Sequence, residues 1–266
     1  MYRRKTWISP FMMGLALTLG LAICSEPILT MAQQYNPPRR GTPKRREGAG
    51  TRGSCLTGTR PVTPLIPIDQ FGTTVSSQPT FFWYVPPKSA QASDESAKSA
   101  EFSLYDKNNT LIKTWSFALS GYSGIASFTL PDADLLQVDQ EYTWQFSVIC
   151  DADAPSKNPF VEGIVQRVQP SEALNRKLAK ATPNDQASLY ASSGIWYDSL
   201  KTLAGMRCTS PGDIGVTLSW ASLLRSVELA DIASESFNQY CAQIGSTAPK
   251  PSAGFSQPSS ATPISQ

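Results

Sequence analysis

Histidine is absent from all 266 residues. That absence removes imidazole as a general acid or base, and with it the serine and cysteine triads and nearly every catalytic zinc site. Serines are plentiful, but without a base beside them none reads as a nucleophile. Cysteine is scarce: there are five, none in a Cys-x-x-Cys pair, so redox and zinc motifs find no support. The glycine-rich stretch Gly48–Gly53 follows no strand and leads to no Gly-Lys-Ser/Thr, so it is not a phosphate loop. Long apolar runs are lacking too. The longest, Phe11–Ile23, falls short of the ~20 residues of a typical membrane span.

What charge there is lies unevenly. Residues 1–32 carry Arg3, Arg4 and Lys5 against Glu26, a net +2. Residues 33–60 carry seven cations against Glu47, a net +6; the whole chain is +2, which leaves −6 for residues 61–266. The pattern is a basic arm on an acidic body. Residues 1–32 read as an export signal: a charged start, the apolar run, and a small-x-small ending at Thr30-Met31-Ala32. The mature chain is then expected to begin at Gln33. Leu21-Ala22-Ile23-Cys24 resembles a lipobox, but Ile23 is bulky where a small residue is needed.

The arm, residues 33–60, combines proline, glycine and charge with few apolar residues, so it is expected to be disordered. Arg39, Arg40, Lys44, Arg45 and Arg46 are its candidate contacts for a polyanion. In an exported protein that means an acidic polysaccharide, an anionic membrane surface or the acidic body itself rather than nucleic acid. The alternative is a solvated spacer.

Residues 61–169 read as a β-sandwich. Tyr142, Trp144, Phe146, Val148 and Cys150 alternate with polar or smaller residues, the mark of a half-buried strand over Glu141–Cys150. Thr80–Val85 is a core strand between prolines, and Pro61–Ile68 a proline-interrupted edge. Glu101–Asp106 and Thr110–Leu119 flank a Lys-Asn-Asn turn, Lys88–Ala100 is a polar loop, and Gly124–Leu130 and Phe160–Val168 complete about seven strands. That count, with Trp83, Tyr142 and Trp144, indicates an immunoglobulin-like or fibronectin-like antiparallel sandwich, an α+β fold once the helices are added.

Residues 170–244 read as helical. Ser171 is a cap, Thr182-Pro183-Asn184-Asp185 marks another helix start, and Leu189, Tyr190, Gly194, Trp196, Tyr197, Leu200, Leu203 and Ala204 recur at helical spacing. The order Tyr190, Gly194, Leu200 resembles one tetratricopeptide-type helical pair. A solenoid needs about three such units, so a small bundle packed on the sandwich is expected. Residues 245–266 are a Ser/Pro/Ala-rich tail, expected to be disordered.

Four cysteines follow the signal: Cys55, Cys150, Cys208 and Cys241. Two bridges are expected in an oxidising compartment, Cys55–Cys150 and Cys208–Cys241, each pair staying near its own domain. The carboxylate pairs Asp132/Asp134 and Asp151/Asp153 invite a calcium or glycosidase reading. They bracket a strand ~30 Å long, too far apart for joint catalysis at ~10 Å. Each pair reads as turn chemistry, with a weak calcium site near Asp132/Asp134 and the Asp106–Asn109 turn left open. Trp196-Tyr197-Asp198 is a candidate sugar shelf, weighed against a core role for aromatics at helical spacing.

Gly50-Thr51-Arg52-Gly53-Ser54-Cys55, Pro79–Tyr84, Tyr142-Thr143-Trp144 through Cys150-Asp151, Gly194–Leu200 and Trp220–Leu224 together resemble the cyanobacterial exported family catalogued as domain of unknown function 928. The resemblance spans roughly residues 50–233. It implies an exported protein, in the periplasm or at the cell surface, and brings no catalytic residue, cofactor or metal. The residues favour a non-catalytic interaction module of the cell envelope over an enzyme, with an envelope protein or acidic polysaccharide as partner. The alternatives are a carboxylate-dependent polysaccharide hydrolase and polyanion binding by the arm. No transmembrane helix is expected in the mature chain.

Overall fold

The computed structural model describes residues 33–38, 55–90, 92, 97, 99–119, 123–131, 135–237 and 240–242. Eight strands occur among them: β1 (Thr63–Pro64), β2 (Phe71–Thr74), β3 (Thr80–Val85), β4 (Ser99–Tyr105), β5 (Leu111–Ala118), β6 (Gly124–Thr129), β7 (Glu141–Ile149) and β8 (Phe160–Arg167). Four helices follow: α1 (Glu172–Leu178), α2 (Pro183–Ser192), α3 (Trp196–Thr209) and α4 (Ile214–Arg225). The strands form two sheets, β1-β3-β6 and β2-β8-β7-β4-β5. The fold is α+β.

The alternation read in β7 is a burial alternation. Tyr142, Trp144, Phe146 and Val148 point into the core, while the residues between them are partly exposed. Facing them from the small sheet, Trp83 stacks on Phe146 with ring centroids 3.9 Å apart. Phe102 of β4 lies 4.8 Å from Phe81 and 4.7 Å from Phe128. The sheets thus meet through aromatic rings, whose area dominates such a core. Tyr142 also closes a local loop, its hydroxyl accepting a hydrogen bond from the Gln137 amide at 3.1 Å.

Three departures from the sequence reading have physical causes. The Pro61–Ile68 run shrinks to a two-residue pairing, because Pro61, Pro64 and Pro67 offer no N–H to a ladder. β2, too short to show a period, adds a strand, and it runs parallel to β8, so the larger sheet is mixed rather than antiparallel. A register shift opposite Leu104–Tyr105 turns Leu111 outward, 53% exposed, although simple alternation along β5 would set it on the face of Trp115 and Phe117. After α4 ends at Arg225 a 3₁₀ turn follows at Ala230–Ile232, and residues 240–242 are again helical.

The arm expected over 33–60 is packed at both ends. Gln33 and Tyr35 are buried against the helices. Cys55, also buried, is bridged to Cys150 with a Cα–Cα distance of 5.4 Å. Cys208 and Cys241 form the second bridge, at 5.0 Å. Arg60 holds Asp231 at 3.0 Å and Glu235 at 2.9 Å and lies over the Tyr84 ring. With Phe82 against Tyr240, this covers the outer side of β3, which explains why all six of its residues are buried. Arg39, Arg40, Lys44, Arg45, Arg46, Cys24, Asp132 and Asp134 lie outside the described residues.

Candidate functional site

The helices meet the sandwich at Gly194-Ile195-Trp196-Tyr197-Asp198-Ser199, the turn from α2 into α3. α2 starts on the Thr182 cap, whose hydroxyl accepts from the Asp185 amide at 3.3 Å. It ends in a Schellman closure: the Gly194 amide donates to Ala191 O and the Ile195 amide to Tyr190 O, at 3.1 and 2.9 Å. Gly194 sits at φ +74°, where a side chain is strained, and a Cβ there would stand 3.0 Å from the Asn36 carbonyl oxygen. The sequence marked this position through the order Tyr190, Gly194, Leu200. The reason is the backbone turn and the chain that lies against it.

Trp196, Tyr197 and Asp198 bind the sandwich. The Trp196 indole donates to Leu65 O at 2.9 Å. The Tyr197 hydroxyl donates to Ile164 O at 3.1 Å and accepts from the Trp144 indole at 2.7 Å, a chain running from β8 through α3 to β7. Asp198 accepts from the Thr74 hydroxyl at 2.7 Å and the Val75 amide at 3.1 Å. Ser199 ties α3 back to Ala187 of α2 at 2.9 Å. Gly72 of β2 makes the close approach feasible, since a Cβ there would meet the Tyr197 ring at 2.8 Å. Trp196 and Tyr197 are fully enclosed. The aromatic shelf is therefore core, and no sugar can stack on it.

Burial sets the electrostatics of this seam. It pushes the Tyr197 phenol well above its ordinary value. Asp198 is likewise held above the usual carboxylate range by burial, opposed by its bonds to Thr74 and Val75 and by Lys201. A proton on Asp198 is thus easier to hold than on a free carboxyl.

Asp151 is absorbed by its own turn. It accepts from the Asp153 and Ala154 amides at 3.0 and 3.1 Å and pairs with Lys157 at 3.2 Å. The hydrogen bond from Lys157 is the first cause of its lowered pKa. Asp106 is similar: it accepts from the Thr110 amide at 2.8 Å and the Asn108 amide at 2.9 Å, and the Thr110 bond leads in lowering its pKa. Asn109 takes the left-handed conformation, φ 62°. Among the described residues no group of three or more carboxylates, cysteines or histidines is placed to hold a metal ion.

The contact surface that the sequence did not mark is the groove between α2, the start of α3 and α4. Gln33–Pro38 lies in it as extended chain, with Gln33 and Tyr35 buried and Gln34, Asn36 and Pro37 exposed. The Gln33 amide donates to Ser188 Oγ at 2.7 Å and Asn184 O at 3.1 Å. Tyr35 rests edge-on against Trp196, centroids 5.0 Å apart, its hydroxyl donating to Gly194 O at 3.3 Å. The Asn36 amide donates to Ala191 O at 3.0 Å. The one available signal was Gln33 and Tyr35 at period two, ahead of Pro37-Pro38.

A family model described as Domain of Unknown Function (DUF928) matches residues 47–237. No curated protein matches the chain. Among solved structures, the fn3 domain of the human collagen alpha-1(XX) chain is similar at 12% identity and a TM-score of 0.24, covering 45% of this chain and 89% of that one. No helix among the described residues is long and apolar enough to cross a membrane.

Proposed function

Starting from a chain that belongs to the family described as Domain of Unknown Function (DUF928), we propose that the protein is a non-catalytic interaction module. It works outside the cytoplasm, in the periplasm or at the cell surface of a cyanobacterium. There it holds an acidic polysaccharide through a basic loop. The observation that carries this is the anchoring of the chain on both sides of residues 39–54. Pro38 packs beside Gly194 on the helical side, and Cys55 is bridged to Cys150. Between the anchors stand Arg39, Arg40, Lys44, Arg45, Arg46 and Arg52 against Glu47, a net +5 over 16 residues. A polycation tied at both ends gives up less freedom on binding than a free tail, so more of its electrostatic attraction appears as affinity.

The two bridges fit an oxidising compartment, where such cross-links persist. The strand order supports the finer reading of the body. β1-β3-β6 against β8-β7-β4-β5 corresponds to strands A-B-E and G-F-C-C′ of an immunoglobulin-like or fibronectin-like sandwich, with β2 running beside G. Tyr142 holds the tyrosine-corner position at the start of F. α2 and α3, crossing beside Gly194, are the single tetratricopeptide-like pair.

Incubation of the unreduced protein with an acidic polysaccharide tests the reading against the hydrolase alternative. Retention that falls with salt, with no new reducing ends, is the expected result. Release of reducing ends would make the protein a hydrolase, and absence of retention would remove the polysaccharide.

A further inference from the structure

We propose that the groove between α2, the start of α3 and α4 is a peptide-recognition site. Its ligand is an extended, uncharged segment with a glutamine two residues before a tyrosine, and Gln33–Pro38 is this chain's own copy, bound in cis. The segment is held as a peptide ligand is held, by side chains that alternate into the groove and by main-chain contacts along it. Gln33 enters first, its amide shared by Ser188 Oγ, Asn184 O and, at 3.4 Å, Asn184 Oδ1. Asn184 Oδ1 is itself fixed by Ser219 Oγ at 3.0 Å. Tyr35 enters second, between Trp196 and the Gly194 carbonyl, which Thr73 Oγ1 also holds at 2.8 Å.

The main chain is gripped at three points. Ser222 Oγ donates to Gln33 O at 3.4 Å, Ser226 Oγ accepts the Tyr35 amide at 3.3 Å, and Ala191 O accepts the Asn36 amide at 3.0 Å. None of these groups is charged, so the site selects shape and hydrogen bonding, and its affinity is insensitive to salt. That separates it from the basic loop, and failure of either reading leaves the other standing. The cis copy reaches the groove through residues 39–54, a linker that spans at most about 53–58 Å. Such tethering keeps its local concentration around millimolar, which any incoming peptide must exceed.

The test uses the full chain carrying Gln33→Ala and Tyr35→Ala, and a labelled synthetic peptide of residues 33–38 as the probe. The double variant is expected to bind the peptide, and a peptide with Tyr35→Ala to bind at least about tenfold more weakly. The wild-type chain should bind the intact peptide about tenfold or more weakly than the variant does, because its groove is filled. Affinity should hold between about 0.05 and 0.5 M salt. A folded variant, judged by near-ultraviolet dichroism, that ignores the peptide or takes both peptides equally overturns the proposal. Should the variant fail to fold, hydrogen exchange on the wild-type chain decides. Excess peptide is expected to speed exchange of the Asn36 amide, and an unchanged rate overturns the proposal.

Discussion

Asp198 joins helix to sheet with a carboxylate whose burial opposes its charge. Its folded-state pKa lies above the ordinary 3.8, so in the window just above 3.8 the native state binds a proton that the unfolded chain has released. Its contribution to stability is therefore complete below that value and is lost as pH rises through the folded-state pKa. Asp198→Asn keeps an oxygen for Thr74 and Val75 without the charge. Urea titrations from pH 4 to 7 should show the variant gaining on the wild type as pH rises, with the gain levelling off above the folded-state pKa. Asp198→Ala leaves both donors unpaired and should cost about 1–3 kcal/mol. At this scale the sequence left two tasks open for Trp196, Tyr197 and Asp198, and burial decides for the core. Trp196, Tyr197 and Asp198 look alike in a sugar cleft and in a core, since periodicity reports burial without saying what covers it.

At the scale of elements, β7 and β3 were legible because long strands with rings on one face have a single economical arrangement. β2 was not: four residues show no period, and nothing in the sequence tells that Gly72 is where α3 comes close. The Gln33–Pro38 segment was hidden for a similar reason, two buried side chains being too few to outweigh a polar composition. β5 shows how a legible strand still holds surprises. It is an outer strand of its sheet, and Lys113, over the Trp115 ring at 5.2 Å, places a charge at that edge. Such a charge discourages pairing with another chain. Lys113→Val should raise the tendency to aggregate, seen by light scattering on storage, with little change in melting temperature. In α3, Trp196→Ala removes a fully buried indole and its bond to Leu65. It should cost about 3–5 kcal/mol in denaturant unfolding, and helix and sandwich should lose structure together, since one continuous core includes residues of both.

On the scale of the whole molecule, the two bridges divide the work. Cys55–Cys150 closes 95 residues and Cys208–Cys241 closes 33. By loop entropy the first stabilises by about 4.7 kcal/mol and the second by about 3.7 kcal/mol. Cys55→Ser with Cys150→Ser should therefore lower the unfolding midpoint more than the other pair of changes, and calorimetry checks the order. The first bridge has a second consequence, because it also fixes one end of residues 39–54. Keeping each pair near its own domain was the reasoning that chose these partners. The double anchoring was not visible, because nothing in composition marks Gln33 and Tyr35 as docked.

The central claim is that this anchored basic loop is the binding element. The direct measurement is retention on an immobilised acidic polysaccharide over a salt series, for the wild-type chain and for one with Arg39, Arg40, Lys44, Arg45 and Arg46 all replaced by Ser. The wild type should bind with an affinity that falls steeply as salt rises, while the variant loses retention and keeps its melting temperature, the outcome expected where these five charges serve a partner and not the fold. A variant retained as well as the wild type, or binding that ignores salt, would contradict the account.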